Sequence, residues 1–357
     1  LKTTLAVTYF KHEGTMTSYD WNLNSAPFLD LNRSNTNLIF TTAITRKFSA
    51  KFTNKTGITY TKMYYDMDMN LAPHQMHPME LISQGKGNTD LISGYTNSSI
   101  GISEQVTLNV GVNARVLTLN NSWTLEPRAG IKWQFSPKSS FALAYGLHSR
   151  MEKMDVYFVK TQGTGDRSVN KDLGFTRAHH VMLSYGFKVS DNMNMKIEPY
   201  FQQLYDVPVI ADSSYSVLNR RDFYVENALV NRGKGRNIGV DITLERYLNK
   251  GLYYMVTASI FDSKYYGGDR KWRNTLYNRN FIINVLGGKE WMVGRDKQNM
   301  FSVNFKITLQ GGDRYAPVDE VATLLDPDRE VQYDETKAFS KQFSPMFITN
   351  FSVGYKI

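Results

Sequence analysis

"EPRAGIKWQFSPKSSFALAYGLHSR", running from Glu126 to Arg150, decides the fold. Two alternating runs flank a tight polar turn, Ser136-Pro137-Lys138-Ser139. Before the turn, Pro127, Ala129, Ile131, Trp133 and Phe135 share one parity, and Glu126, Arg128, Gly130, Lys132 and Gln134 hold the other. After it, Phe141, Leu143, Tyr145 and Leu147 alternate with Ala142, Ala144, Gly146, His148 and Arg150. Side chains of a strand alternate between faces, so this is a hairpin with one greasy face and one polar or small face. Which face meets water, and whether the greasy face meets protein or lipid, sets everything else.

The same alternation recurs from end to end. Val106 to Val116, Ile238 to Leu244, Phe301 to Leu309 and Phe347 to Ile357 each repeat it. About fourteen such segments are expected, where an ordinary sheet has ~4–6 strands. They fall at 1–10, 36–46, 52–67, 90–102, 105–119, 123–135, 140–151, 176–189, 192–206, 231–246, 252–265, 276–292, 299–310 and 345–357. Most exceed ten residues, whereas globular strands cluster near ~5–6. A bilayer-spanning strand needs ~10 residues, every second of which can be polar.

The connections sort by length. Short turns are expected at Lys47–Lys51, Ser103–Glu104, Ser136–Ser139, Ser190–Asp191, Tyr247–Gly251 and Gly294–Asn299. Between these pairs lie long loops at 11–35, 68–89, 152–175, 207–230 and 311–344, with a short exception at 120–122. Short turns on one rim and long loops on the other characterise outer-membrane barrels. The fold class is therefore read as all-β, a transmembrane antiparallel β-barrel, with the Trp133 and Leu143 parity on lipid. The opposite parity lines a wet interior, and Arg115, Glu126, Arg128, Lys132, His148, Arg150, Asp241 and Glu245 face that lumen. A soluble β-rich adhesin, with the greasy parity packed inward, is the alternative that keeps the same strands.

Composition limits the rest. The 357 residues carry a net charge of +9 and are 41% hydrophobic, and no apolar run approaches the ~18–20 residues of a membrane-spanning helix. Cysteine is absent, which excludes disulfides, thiol nucleophiles and thiolate metal sites. Lys and Arg are scattered beside Asp and Glu rather than run together with aromatics, so nucleic acid is not an expected partner. No G-x-S-x-G, H-E-x-x-H, Walker A or Rossmann signature stands in a fitting context. "GKGR" at 233–236 precedes a strand and so lacks the helix dipole of a phosphate site. The chain is not read as an enzyme, and no cofactor is expected.

The stretch 231–292, "NRGKGRNIGVDITLERYLNKGLYYMVTASIFDSKYYGGDRKWRNTLYNRNFIINVLGGKEW", resembles the barrel of TonB-dependent outer-membrane receptors of the Bacteroidetes type. "GGDRYAPVD" at 311–319 and "LEPRAGIKWQFSPKSSFALAYG" at 125–146 share the resemblance, which covers essentially the whole chain. It implies a barrel of about 22 strands around a plug. It also implies a bacterial outer-membrane location and uptake of a large or scarce nutrient energised through TonB. The implied partners are outer-membrane lipid, a plug domain of the same polypeptide, TonB through that plug, and a surface lipoprotein or other complex subunit. Residues 1–357 show neither plug nor TonB-binding segment, and stop at "FSVGYKI", so they are expected to be a barrel segment without its terminal strands. A complete fourteen-stranded passive porin or fatty-acid channel is the competing transport reading.

Two clusters are candidate sites. Asp269, Arg270, Trp272 and Arg273 in "GGDRKWRNTLYNRN", with Arg314 and Tyr315 in "GGDRYAPVD", are placed to contact ligand or plug, or else to tie loops together. His74, Met76 and His77 lie in a Met-rich stretch, "TKMYYDMDMNLAPHQMHPME", whose thioether and imidazole groups suit copper, though without fixed ligand spacing. His179 and His180 are consecutive, point to opposite faces of a strand, and cannot chelate one ion together.

Overall fold

The computed structural model describes residues 1–161, 167–220, 224–327 and 330–357. The expected loops 152–175, 207–230 and 311–344 each include a few residues outside that set. The strands are β1 (Lys2–Tyr19), β2 (Ser25–Ser49), β3 (Phe52–Leu71), β4 (Glu80–Gly101), β5 (Val106–Leu117), β6 (Ser122–Ser136), β7 (Ser139–Arg150), β8 (Thr176–Ser190), β9 (Met193–Val209), β10 (Val230–Asn249), β11 (Leu252–Tyr266), β12 (Trp272–Asn274), β13 (Phe281–Val293), β14 (Asn299–Gln310), β15 (Arg314–Tyr315), β16 (Lys341–Gln342) and β17 (Met346–Lys356). Among the described residues two short α-helices, α1 (Met154–Tyr157) and α2 (Glu320–Leu325), lie in connections. Among the described residues no helix is long and apolar enough to cross a membrane.

One antiparallel sheet runs β1 through β11 in sequence order and then β13, β14 and β17, with β12 pairing β11. All fourteen expected segments are strands of that path. Its outer strands, β1 and β17, do not pair with each other. The β10–β11 connection shows how tight one rim is. Lys250 and Gly251 both have positive φ (49° and 74°), the two-residue turn whose twist matches a hairpin. A side chain at Gly251 would also collide with the Glu290 carbonyl.

Cross-strand register extends each face across the sheet. On one face Trp133 opposes Phe141, Phe141 opposes Tyr185, and Tyr185 opposes Ile197. On the other, Arg128 opposes Gly146, Gly146 opposes His180, His180 opposes Gln202, Gln202 opposes Asn237, and Asn237 opposes Ser263. The second face is the concave one. Asp155, after β7, reaches Arg33 on β2 across it, and the loops after β7 and β9 pack on it.

Three expectations are corrected. Residues 11–35 and 68–89 are mostly not loops. β1 and β2 continue to a turn at 20–24, and β3 and β4 to a connection at 72–79. Beyond hydrocarbon a paired ladder needs no greasy parity, so alternation fades while hydrogen bonding persists. The segment expected at 276–292 begins at Phe281, because β12 and a turn occupy 272–280. Met69, inside the expected loop 68–89, is a buried strand residue on the concave face of β3, as is Met67 at the end of the expected strand 52–67.

Candidate functional site

The concave wall carries the lumen-facing set. Arg115, Glu126, Arg128, Lys132, His148, Arg150, Asp241 and Glu245 all belong to its parity by register. Glu126 departs from the wet lumen expected for it, because its side chain is 1% exposed. Its carboxylate accepts from Asn113 at 3.0 Å, from Arg128 at 2.8 Å and from the Ser149 hydroxyl, with Arg115 at 3.7 Å. A buried carboxylate is tolerable only when donors replace its water, and this one has donors from β5, β6 and β7. Arg150, by contrast, stands out at the rim 3.7 Å from Glu152.

The polar row spanning β6 to β11 lines an open cavity of about 840 Å³ that includes Arg128, His148, His180, Gln202, Asn237 and Asp241. Asn237 donates to Gln202 at 3.0 Å and accepts from Ser263 at 2.6 Å, while Ser259 donates to Asp241. The His148 and His180 rings lie 4.7 Å apart. His179 points the other way, between Tyr145 and Tyr205, as its parity requires. Inward glycines make room on this wall: a Cβ on Gly239 would lie 2.7 Å from the Tyr200 hydroxyl.

A cap closes over part of the wall. After β7 the chain turns inward, and Met154, Val156, Tyr157, Phe158 and Val159 bury themselves against Met63, Tyr65 and Met67 of β3, Leu117 of β5 and Val207 of β9. The cap joins the ladder of β4: Lys160 donates to the Ile82 carbonyl at 2.9 Å, and Gln84 to that of Phe158 at 3.2 Å. Asp155 receives Arg33 at 3.1 Å and Arg220 at 2.8 Å, tying β2, the β7–β8 connection and the β9–β10 connection. Asn170, 1% exposed, donates to the Asn227 carbonyl and accepts from Leu229, stapling the two connections. Burial pushes the Tyr157 hydroxyl up to about 12. Apart from the methionines of β3, none of these residues stood out in the sequence. The apolar run "MDVYFV" inside an expected loop was the available signal.

The rim candidates tie the loops together. Arg273, nearly buried, forks onto Asp269 at 2.9 and 2.6 Å. These bonds hold the Asp269 carboxyl below its usual range against the opposing effect of burial. Arg314 donates to the Asn278 carbonyl and to Asn280 at 2.9 and 2.8 Å, and Tyr315 stacks on Phe343 with rings 4.4 Å apart. Trp272 faces outward beside Tyr266, and Arg270 stands exposed at the turn. The His74 and His77 rings are 5.4 Å apart, His74 lies 3.5 Å from Glu330, and Met76 docks against Ser18. No cluster of three or more His, Cys, Asp or Glu suited to a metal occurs among the described residues.

No protein-family model matches the sequence, and no curated protein matches it. Solved structures do. The chain is similar to the outer membrane transporter YddB from Escherichia coli, with a TM-score of 0.62, 12% identity, and coverage of 93% of this chain and 48% of that one. It is similar to the ferric-catecholate import receptor Fiu of E. coli K12, with a TM-score of 0.65, 12% identity, and coverage of 99% and 55%. It is also similar to the pyoverdine outer membrane receptor FpvA from Pseudomonas aeruginosa PAO1, with a TM-score of 0.64, 9% identity, and coverage of 98% and 51%. The chain thus spans about half the length of these structures. It has the fold of the barrel of TonB-dependent outer-membrane receptors.

Proposed function

We propose that this chain forms barrel wall of a TonB-dependent outer-membrane transporter of the Bacteroidetes type, importing a large or scarce nutrient across the bacterial outer membrane. Work enters through TonB pulling on a plug domain of the same polypeptide, and the wall performs no chemistry. The observation that carries this reading is the division of one sheet into an apolar convex face and a hydrogen-bonded polar concave face closed above by a cap. A polar wall with Arg128, Gln202, Asn237 and Asp241 presents donors and acceptors to a plug or a hydrophilic solute, while the convex face solvates in lipid. The similarity to transporters and receptors across nearly the whole chain supports the same reading.

The passive-channel alternative requires closure, because an unpaired strand edge in hydrocarbon costs several kcal/mol per group. The unpaired outer edges of β1 and β17 speak against fourteen strands closing on themselves. Planar-bilayer recording separates the two readings. The chain alone is expected to give no stable ohmic conductance, and uptake by the plug-containing receptor is expected to stop when the proton-motive force is collapsed. A steady unitary conductance from residues 1–357 would instead establish a passive pore.

A further inference from the structure

Beyond the apolar band, the convex face of β10 and β11 changes character. Val240 opposes Ile260, and Ile238 opposes Asp262. The next outward pair toward the long-loop rim is Arg236 opposite Lys264, and then Lys234 opposite Tyr266. Like charges set directly opposite each other across strands repel. Lys264 is relieved by Asp262 at 3.3 Å. Arg236 and Lys234 lie over rings instead, 5.5 Å from the Trp272 centroid and 5.6 Å from that of Tyr266. Among the described residues, Arg232, Lys234, Arg236 and Arg270 take part in no ion pair. Just beyond lies a recess of about 300 Å³ walled by Arg232, Lys234, Arg270 and Tyr266, with Asp212 the one acid on its wall among the described residues. Cations gathered against repulsion, beside aromatics and immediately above hydrocarbon, call for an anion at headgroup depth.

We propose that this patch binds a membrane lipid whose headgroup carries phosphate. Its phosphate enters the recess among Arg232, Lys234 and Arg270, and Arg236 lies at the edge of the hydrocarbon. Acyl chains run down over Ile238, Val240 and Ile260. Trp272 and Tyr266 hold the basic side chains at interface depth. The inference rests on the barrel reading of the convex face, and it adds which lipid chemistry that face selects.

Native mass spectrometry of the plug-containing receptor that includes this chain, in dodecyl maltoside micelles seeded with diphosphorylated lipid A, provides the test. The receptor is expected to retain this lipid and not its dephosphorylated counterpart. The double variant Lys234→Gln/Arg236→Gln is expected to lose about tenfold or more of the bound lipid, as for two cations near a charged surface. Lys47→Gln/Lys51→Gln, two exposed cations at the opposite rim, is expected to leave retention unchanged. Equal retention of phosphorylated and dephosphorylated lipid, or no loss in the Lys234/Arg236 variant, overturns the proposal. Displacement of the lipid by millimolar inorganic phosphate overturns the lipid assignment in favour of a free-phosphate site. A spin label at Leu143 in the same micelles reports on the barrel reading separately. Shielding of that label from oxygen sinks the reading itself, whereas an accessible label with no lipid retention sinks only the headgroup site.

Discussion

Asp269 and Arg273 illustrate what single residues contribute at the rim. The Arg273 side chain is 7% exposed, so its charge depends on the Asp269 carboxylate four residues earlier. Asp269→Asn leaves that guanidinium half-satisfied and is expected to cost about 2 kcal/mol locally, the usual worth of a hydrogen bond to a charged group. Peptide-level hydrogen exchange over 267–275 reads the loss, and unchanged protection would show the pair to be idle. The acid dependence has a definite sign. The folded carboxyl sits below its usual value because Arg273 hydrogen-bonds it, so its contribution is complete above that value and disappears as pH falls through the lowered one. Asp334 behaves alike over a stated window. Bonds from Thr336 and Lys337 bring its carboxyl from 3.8 to about 2, so the turn at 334–337 should hold at pH 4 and loosen toward pH 2. Exchange rates corrected for intrinsic pH dependence test this. Glu126 shows what the sequence could not disclose at this scale. Its parity was legible from alternation, but its burial depends on Asn113 of β5 and Ser149 of β7, which only register brings together.

Elements differ in how much of themselves they declare. The hydrocarbon-facing part of every strand was readable because lipid enforces a period of two. The outer reaches of β1 to β4 were not, since a ladder standing in water accepts sequences such as "KHEGTMTSY" on either face. The cap was hidden for another reason: its apolar residues find partners on β3, β5 and β9, which local pattern cannot name. Asp155, shared by Arg33 and Arg220, is the cap's electrostatic tie, with all three side chains about nine-tenths buried. Removing one partner of such a group strands the others, at about 3 kcal/mol. The absence of cysteine provides a clean probe, because Val207→Cys would place one thiol under the cap at a fully buried position. In that background Asp155→Asn is expected to speed labelling by a bulky polar thiol reagent by about a hundredfold if opening is local. An unchanged rate would assign the cap's hold to its apolar packing alone.

At the scale of the whole molecule, one assignment governs all others: the convex face is the solvent-averse one. Its large apolar side chains stand exposed, with Trp133 at 49%, Leu143 at 41% and Phe305 at 41%. A water-soluble sheet of this size would bury them, and no described loop covers them, whereas the loops that do fold back choose the polar face. Two neighbouring substitutions separate lipid from water. Leu143→Arg puts a cation on the convex face and is expected to destabilise the folded protein in bilayers by about 2–4 kcal/mol near the midplane. Ala144→Arg, one residue on and pointing into the open cavity beside Gly146 and His148, is expected to cost well under half of that, because water and Asp241 share that space. Urea titration of each variant in lipid vesicles measures both. Equal penalties would mean that the two faces see the same medium. A larger penalty at Ala144 would mean that the sheet is inside out, with its polar row packed and its greasy row wet, and the transporter reading would go with it.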